Sequence, residues 1–194
     1  MPLISVPFNW LESYFHELSH GLAALVTGGR VVQIQLFPNG AGLCTTQGGI
    51  RFVISLMGYL GATLFGYFIC RLAQGFQAQA RWIYPVFIAL MTLSLILWVR
   101  DVLTAFIIGV LIALFVVKWR FVKSHSLGLW LKFTGIIVLL NSVYSPLYLI
   151  DGRHLGDGAS LASMTFIPEI IWALLWSASG IFALYLLIKK DIIR

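Results

Sequence analysis

The sequence carries little charge for its length. Of its 194 residues, 10% are Asp, Glu, Lys or Arg, and only seven are acidic, whereas a soluble domain has about 25% charged residues. Hydrophobic residues make up 60% of the chain, and the mean hydropathy is +0.93. Because so few charged groups could not cover a water-exposed surface, this composition excludes an ordinary soluble protein and predicts an integral membrane protein in a lipid bilayer.

Cysteine is scarce as well. The two cysteines, Cys44 and Cys70, do not have the spacing of a metal motif and do not indicate a disulfide framework. The formal net charge is +6, but no basic run is interleaved with aromatic residues, so we expect no nucleic-acid partner. In a membrane protein a basic excess is typical of the loops on the cytoplasmic side.

Six stretches of the chain are apolar and near the length that a bilayer requires. They comprise residues 7–26, 52–70, 82–99, 102–117, 133–150 and 170–188. We therefore predict an all-α polytopic membrane protein with about six transmembrane helices. Pro146 predicts a kink or an unwound turn in the fifth stretch. A chain of this length suits one bundle, so we expect a single transmembrane domain over residues 1–194.

Between the first and second stretches, residues 30–49 are too polar and too rich in glycine to cross a membrane. Residues 31–36 alternate partly and contain β-branched side chains, residues 38–40 form a turn signal, and residues 43–46 suit a return strand. This pattern predicts a small membrane-associated β-hairpin. Its open edge offers a place for an extended substrate segment; a surface hairpin without a substrate role is the alternative.

The basic residues are unevenly distributed between the two ends of such a bundle. With six spans both termini lie on one side, where nine basic residues fall, against four on the other. The nine are Arg71, Arg81, Lys118, Arg120, Lys123, Lys132, Lys189, Lys190 and Arg194, and the four from Lys118 to Lys132 are expected in a loop. The positive-inside rule therefore predicts that both termini are cytoplasmic.

The first apolar stretch contains the motif His16-Glu17-Leu18-Ser19-His20, which reads H-E-x-x-H. On a helix, His16 and His20 lie one turn apart on one face, where two imidazoles can hold two corners of a tetrahedral zinc site. Glu17 is next to the first histidine and can take a proton from a water molecule at the metal. Ionisable residues inside a membrane are costly and functional by default, which favours a metal site over two structural histidines.

A catalytic zinc site needs a third protein ligand, with the fourth position left for water. Glu12 lies one turn before His16, Asp101 lies in a tight connection between two spans, and Asp151 follows the fifth span. Asp151 is the best of these candidates, because the first and fifth spans run in the same direction and can pack side by side. A break near Pro146 can then turn the chain back toward the metal.

A second motif lies at the end of the fifth stretch, where Asn141 and Pro146 precede Asp151-Gly152. Together with H-E-x-x-H in a first membrane helix, this Asn…Pro…Asp-Gly element resembles the site-2 protease family of intramembrane zinc metalloproteases. Residues 150–155 read Ile-Asp-Gly-Arg-His-Leu and are similar to the Leu-Asp-Gly-Gly-His-Leu form of that family.

The resemblance implies an intramembrane zinc endopeptidase with one Zn²⁺ per chain. Its substrates would be transmembrane proteins or peptides. It implies that His16, His20 and Asp151 are the metal ligands and that Glu17 is the general base that activates water.

Two further segments are similar to a compact bacterial and plant branch of the same family. Residues 58–61 read Gly-Tyr-Leu-Gly, and residues 157–162 read Asp-Gly-Ala-Ser-Leu-Ala. An aspartate like Asp157 recurs in that branch, so Asp157 is the second candidate for the third zinc ligand. The alternative role for Asp157 is the N-cap of a short helix.

Two other functions remain open at this point. A non-catalytic zinc-binding membrane scaffold, or pseudoprotease, would keep the metal ligands but would not need Glu17. A small metal transporter would use the paired histidines as transit ligands, but the chain has no internal repeat and its ionisable residues cluster in two motifs. The sequence does not indicate the oligomeric state or the identity of the substrate.

Overall fold

The computed structural model describes residues 5–75, 80–150 and 155–192, which form seven α-helices and one antiparallel pair of strands. In chain order the elements are α1 (Val6–Val26), β1 (Arg30–Leu36), β2 (Gly42–Gln47), α2 (Arg51–Gly75), α3 (Ala80–Trp98), α4 (Val102–Phe121), α5 (Ser124–Tyr144), α6 (Asp157–Thr165) and α7 (Glu169–Ile192). The predicted fold class, a helical polytopic membrane protein with a small hairpin after the first helix, is confirmed.

Five segments of the described chain are long and apolar enough to cross a membrane. They are Arg51–Gln74, Arg81–Trp98, Val102–Phe121, Ser126–Leu149 and Glu169–Lys189. Helix α1, with 21 residues, has a length that suits a span but is not among the five. Its polar residues, which include Glu12 and Glu17, lower its hydropathy. Each of the six predicted spans thus coincides with a long helix, and five of these helices have the composition of a span.

Helix α1 is enclosed by protein despite its polar residues. The side chains of Tyr14, Phe15 and Leu18 are fully buried. Phe15 stacks on Phe65 of α2 with 4.6 Å between the ring centroids, and the Tyr14 hydroxyl shares a 2.9 Å hydrogen bond with Ser94 of α3. Ionisable residues at membrane depth face a protein interior, and α1 has the surroundings that such residues require.

Strands β1 and β2 form the predicted hairpin, which lies back along α1. Leu36 pairs with Gly42 at the end of the ladder next to the turn. The Trp10 indole of α1 donates a 3.2 Å hydrogen bond to the carbonyl of Pro38 in that turn. The N–H of Leu36 donates to the Thr104 hydroxyl of α4 at 2.9 Å. The hairpin is therefore held between α1 and α4, and its backbone groups find protein partners there.

The predicted basic loop between the fourth and fifth spans is wrong. Helix α4 continues to Phe121 and α5 begins at Ser124, so Lys118 and Lys132 lie on helices. The Lys118 ammonium is 3.2 Å from the ring centroid of Trp130. The long aliphatic stem of a lysine can cover apolar surface while its charge stays outside, which lets a helix continue beyond its apolar stretch.

The predicted interruption at Pro146 is present. Helix α5 ends at Tyr144, and the chain continues as a 3₁₀ helix over Ser145–Leu149. The proline cannot donate a backbone hydrogen bond and so ends the regular helix. Helix α6 lies between the fifth and sixth apolar stretches of the sequence, and it packs against α2 and α7.

Candidate metal centre

The two histidines of the H-E-x-x-H motif lie on one face of α1, as their spacing predicts. Their rings meet edge to face with 4.7 Å between the centroids. Their Nε2 atoms are 3.0 Å apart. Two imidazole nitrogens therefore converge on one point, which is the arrangement that two ligands of a single metal ion need.

Helix α2 orients one of these rings and leaves space for both. The Nδ1 atom of His20 is 2.7 Å from the carbonyl oxygen of Ile54. An N–H at Nδ1 donates this bond, which leaves the lone pair of Nε2 for a metal. Gly58, one turn further along α2, faces both rings, and a Cβ atom there would lie 2.5 Å from the His20 Nε2 and 2.7 Å from the His16 Cε1.

Asp157 brings a carboxylate to the same point. Its Oδ2 atom is 3.1 Å from the Nε2 of His16 and 3.1 Å from the Nε2 of His20. Gly156, rather than Asp157, is the N-cap residue of α6, and Asp157 is the first helical residue. Its side chain does not cap α6 but points toward the two histidines of α1.

The charge state of Asp157 suits a metal ligand. Burial disfavours its ionised form, but the neighbouring imidazoles of His20 and His16 outweigh that effect and hold the pKa of Asp157 below its usual value. A carboxylate must be deprotonated to bind a metal ion, and a bound cation would favour this ionised form of Asp157 in the same direction.

Glu17 lies beside the cluster and is almost fully buried, with 5% of its surface exposed. The backbone N–H of Cys44 in β2 donates a hydrogen bond to its carboxylate. A Cβ atom at Gly42, also in β2, would lie 2.5 Å from the Glu17 Cγ atom. Glycine at that position therefore lets the strand approach the carboxylate closely, so that the hairpin forms one wall around Glu17.

The cluster has the donor set and the dimensions of a zinc site. Two imidazole nitrogens and a carboxylate oxygen are common zinc ligands, and such atoms around a tetrahedral zinc ion are about 3.3 Å apart. The three observed separations, 3.0, 3.1 and 3.1 Å, are close to that value. The outer bond from His20 to a backbone carbonyl is a usual accompaniment of a metal-bound histidine. His16, His20 and Asp157 therefore fit a zinc ion that leaves one coordination position free.

Asp101 and Glu12, which the sequence also singled out, lie apart from the cluster. Asp151, the first choice for the third ligand, is outside the described residues. Asp101 caps α4, where its Oδ1 accepts a 2.8 Å hydrogen bond from the N–H of Thr104. Glu12 is buried one turn before the cluster and accepts a hydrogen bond from the hydroxyl of Ser145.

Asn141 also lies apart from the cluster. Its Nδ2 donates a 3.0 Å hydrogen bond to the Oδ1 of Asn9, which joins α5 to the first turn of α1.

Two contributions of α2 were missed by reasoning from the sequence. The carbonyl of Ile54 has no signal in a sequence, because every residue has a carbonyl. Gly58 did have a signal, since it opens the Gly-Tyr-Leu-Gly segment of residues 58–61, but small residues in an apolar stretch indicate close helix packing in general. Only the structure shows that the rings of His16 and His20 occupy the space in which a side chain at position 58 would lie.

The fold and the cluster define a class, the multi-pass helical membrane proteins with two histidines of one helix and a distant aspartate brought together inside the bundle. The chain matches the Peptidase M50B-like family over residues 2–187. It therefore belongs to the site-2 protease family, and a membrane metalloprotease type of function follows from that membership. No curated protein and no solved structure matches the chain.

Proposed function

We propose that this protein is a zinc-dependent intramembrane endopeptidase in which His16, His20 and Asp157 hold the metal and Glu17 is the general base. The observation that supports this proposal most is the convergence of three ligand atoms within 3.1 Å of one another, next to a buried carboxylate. Metal binding alone does not need that carboxylate. Its position favours a hydrolase over a zinc-binding scaffold.

The chemistry needs few groups. Zinc, when bound, polarises the peptide carbonyl and makes a coordinated water molecule more acidic. Glu17 accepts a proton from the water that attacks the carbonyl carbon. The C–N bond then breaks, and Glu17 delivers the proton to the leaving amine. The hydroxyl group stays on the carbonyl carbon, so one water molecule is consumed for each peptide bond.

Two backbone groups support the side chains of this scheme. The carbonyl of Ile54 holds the ring of His20 in one orientation. The backbone N–H of Cys44 holds the carboxylate of Glu17. Because these supports come from α2 and from β2, the general base is positioned by a different element from the one that orients the metal ligand.

The substrate is a membrane-embedded protein or peptide, and it must unwind before cleavage because a helix hides its carbonyls in its own hydrogen bonds. Among the described residues, β2 pairs only with β1, so its other edge has no strand partner and can take an extended segment. Gly42 and Cys44, which contact Glu17, belong to this strand. An added substrate strand would thus pass beside the general base.

Cross-linking tests the place of the substrate. Thr45 of β2 and Val32 of β1 are both exposed, and each can be changed to cysteine in a Glu17→Gln background that holds uncleaved substrate. A substrate peptide with a cysteine beside the cleaved bond should form a disulfide with the Thr45→Cys variant in preference to the Val32→Cys variant. Equal yields from the two strands would refute the pairing.

Reconstitution tests the function. The purified chain in liposomes should cleave members of a pool of single-span peptides, with products identified by mass spectrometry. A chelator should stop the cleavage and added zinc should restore it. Tightly held zinc without any cleavage would favour the scaffold, and weakly held, rapidly exchanging metal would favour the transporter.

The orientation in the membrane is part of the proposal. With α1 counted as a span, both termini lie on the same side, and the distribution of basic residues favours the cytoplasm. Reporter fusions at each terminus test this, and a reporter that is active only outside the cytoplasm should stay silent at both ends.

A further inference from the structure

Helix α6 carries Asp157 but is too short to hold its own position. It has nine residues, and an isolated helix of fewer than about 12 residues is marginal in water. Its place in the molecule therefore depends on what it docks against, and the same is true of the carboxylate at its first residue.

One face of α6 makes the docking contacts. Asp157, Ser160 and Leu161 are three and four residues apart, a spacing that puts them on the same face of a helix. Leu161 is fully buried in a cluster with Leu56 and Tyr59 of α2. Burial of this kind attracts α6 to α2, but apolar contacts are not directional and do not set the rotation of the helix.

Ser160 supplies directional contacts. Its Oγ accepts a 3.1 Å hydrogen bond from the Ser55 hydroxyl and a 3.2 Å hydrogen bond from the Arg51 Nε, both on α2. Ser55 is buried, with 6% of its surface exposed, so its hydroxyl gains from a protein partner.

The same turn of α2 is also in contact with α1. Ser55 follows Ile54, whose carbonyl is 2.7 Å from the Nδ1 of His20. One residue of this turn thus contacts an imidazole of the cluster, and the next residue contacts the helix that carries the carboxylate. A shift of either contact changes the distance between His20 and Asp157.

We propose that Ser160 is a positioning residue, which through its hydrogen bond with Ser55 sets the rotation of α6 and so holds Asp157 at bonding distance from a metal on His16 and His20. The inference rests on the proposed function, since it takes Asp157 as the third ligand. Ser160 does not touch the metal or the substrate.

The change Ser160→Ala separates this role from a general role in folding. Alanine is a better helix former than serine, so the substitution favours α6 itself while it removes both hydrogen bonds to α2. Loss of an outer partner of a metal ligand typically costs about 10- to 100-fold in metal affinity. Because Ser160 acts through a helix, we expect about a tenfold loss of zinc affinity and little change in the thermal stability of the zinc-free protein.

The experiment is a competition for zinc between a chromogenic chelator and the full chain in detergent. Ser160→Ala and Ser55→Ala should each weaken zinc binding about tenfold. The double variant should bind no more weakly than Ser160→Ala alone, because Ser55→Ala removes only a hydrogen bond that Ser160→Ala has already removed. Ser160→Thr keeps a hydroxyl and should restore most of the affinity. Ser163→Ala is the matched control, because the Ser163 hydroxyl donates to the carbonyl of Ser160 within α6.

Two results would overturn the inference. One is zinc affinity within twofold of the unaltered protein for Ser55→Ala, the variant that leaves α6 unchanged. The other is a loss of affinity that is matched by an equal loss of stability in the zinc-free protein, since that would be a folding effect. The variant Asp157→Ala is measured in parallel. If it binds zinc normally, the ligand assignment of the proposed function is wrong, whereas a strong loss there with no loss in the serine variants refutes only the role of Ser160.

Discussion

Helices α1 and α6 both supply atoms to the candidate metal centre, but they are held in the molecule in different ways. Helix α1 has 21 residues, and its His16–His20 turn is packed against α2 and the hairpin. Helix α6 has nine residues and ends at Thr165. The next residue, Phe166, has a left-handed φ of 60° and a side chain that is 94% exposed. The first is part of the core of the bundle, and the second is an attachment to it.

The difference teaches which part of the site depends on local geometry. His16 and His20 are on one helix, so their separation survives any movement that leaves α1 helical. Asp157 is 141 residues from His16 in the chain, and its distance from the histidines depends on the docking of α6. When the packing around the site is weakened, we therefore expect the Asp157 carboxylate to move away from the histidines before the two histidines move apart.

The largest effect should come from the α1 side, at Glu17, the proposed general base. Glu17→Gln keeps the size of the side chain and an acceptor for the N–H of Cys44, but it cannot take a proton. We expect the rate of peptide cleavage to fall about 1000-fold while the zinc content per chain stays unchanged. Product analysis by mass spectrometry and metal analysis of the same sample measure the two quantities. Cleavage at the unaltered rate would show that Glu17 is not the base.

The second effect tests the α6 side. Asp157→Ala removes the proposed third ligand. The cost of losing a direct ligand should exceed that of losing an outer partner, so we expect zinc affinity to weaken by more than about 100-fold. Asp151→Ala is the comparison variant. The sequence motif favours Asp151 as the third ligand, whereas in the structure Asp157 lies beside the histidines. Normal zinc binding by Asp157→Ala together with loss in Asp151→Ala would reverse the assignment.

The third effect is smaller and comes from α2, which packs against both α1 and α6. Gly58→Ala places a methyl group 2.5 Å from the Nε2 of His20, and relief of this overlap should cost about 2 kcal/mol, or roughly 30-fold in zinc affinity. Gly109→Ala in α4 is the control, since a Cβ atom there meets nothing within 4 Å. Equal zinc affinities of the two variants would show that the glycine at position 58 is not required by the histidines.

The smallest effect compares how strongly α1 and α6 depend on the metal for their protection from hydrogen exchange. Removal of zinc by a chelator should raise the amide hydrogen exchange of α6 about tenfold, because the metal ties this helix to the core and a ligand protects the state that it binds. The buried residues of α1, such as Phe15 and Leu18, should keep their protection. Equal changes in α1 and α6 would mean that both helices depend on the metal to the same extent.

Much of the fold was predictable from the sequence for reasons that act over short distances. The apolar stretches, the glycine-rich hairpin and the break at Pro146 all depend on neighbouring residues. The helix ends near Lys118 and Lys132 were not predicted correctly, because a lysine can end an apolar stretch without ending a helix. At the site, the spacing of His16 and His20 predicted the histidine pair, whereas the place of Gly58 against their rings depends on the packing of α2.

By itself, the sequence determined that this chain is a helical membrane protein with two imidazoles on one face of its first helix, because hydropathy and a four-residue spacing are local properties. The tertiary structure alone decided which carboxylate meets those imidazoles among the described residues, and it brought Asp157 there by docking a short helix against α2. The physical reason is that a metal site joins groups far apart in the chain. Their distance is set by packing between helices, which no local pattern specifies.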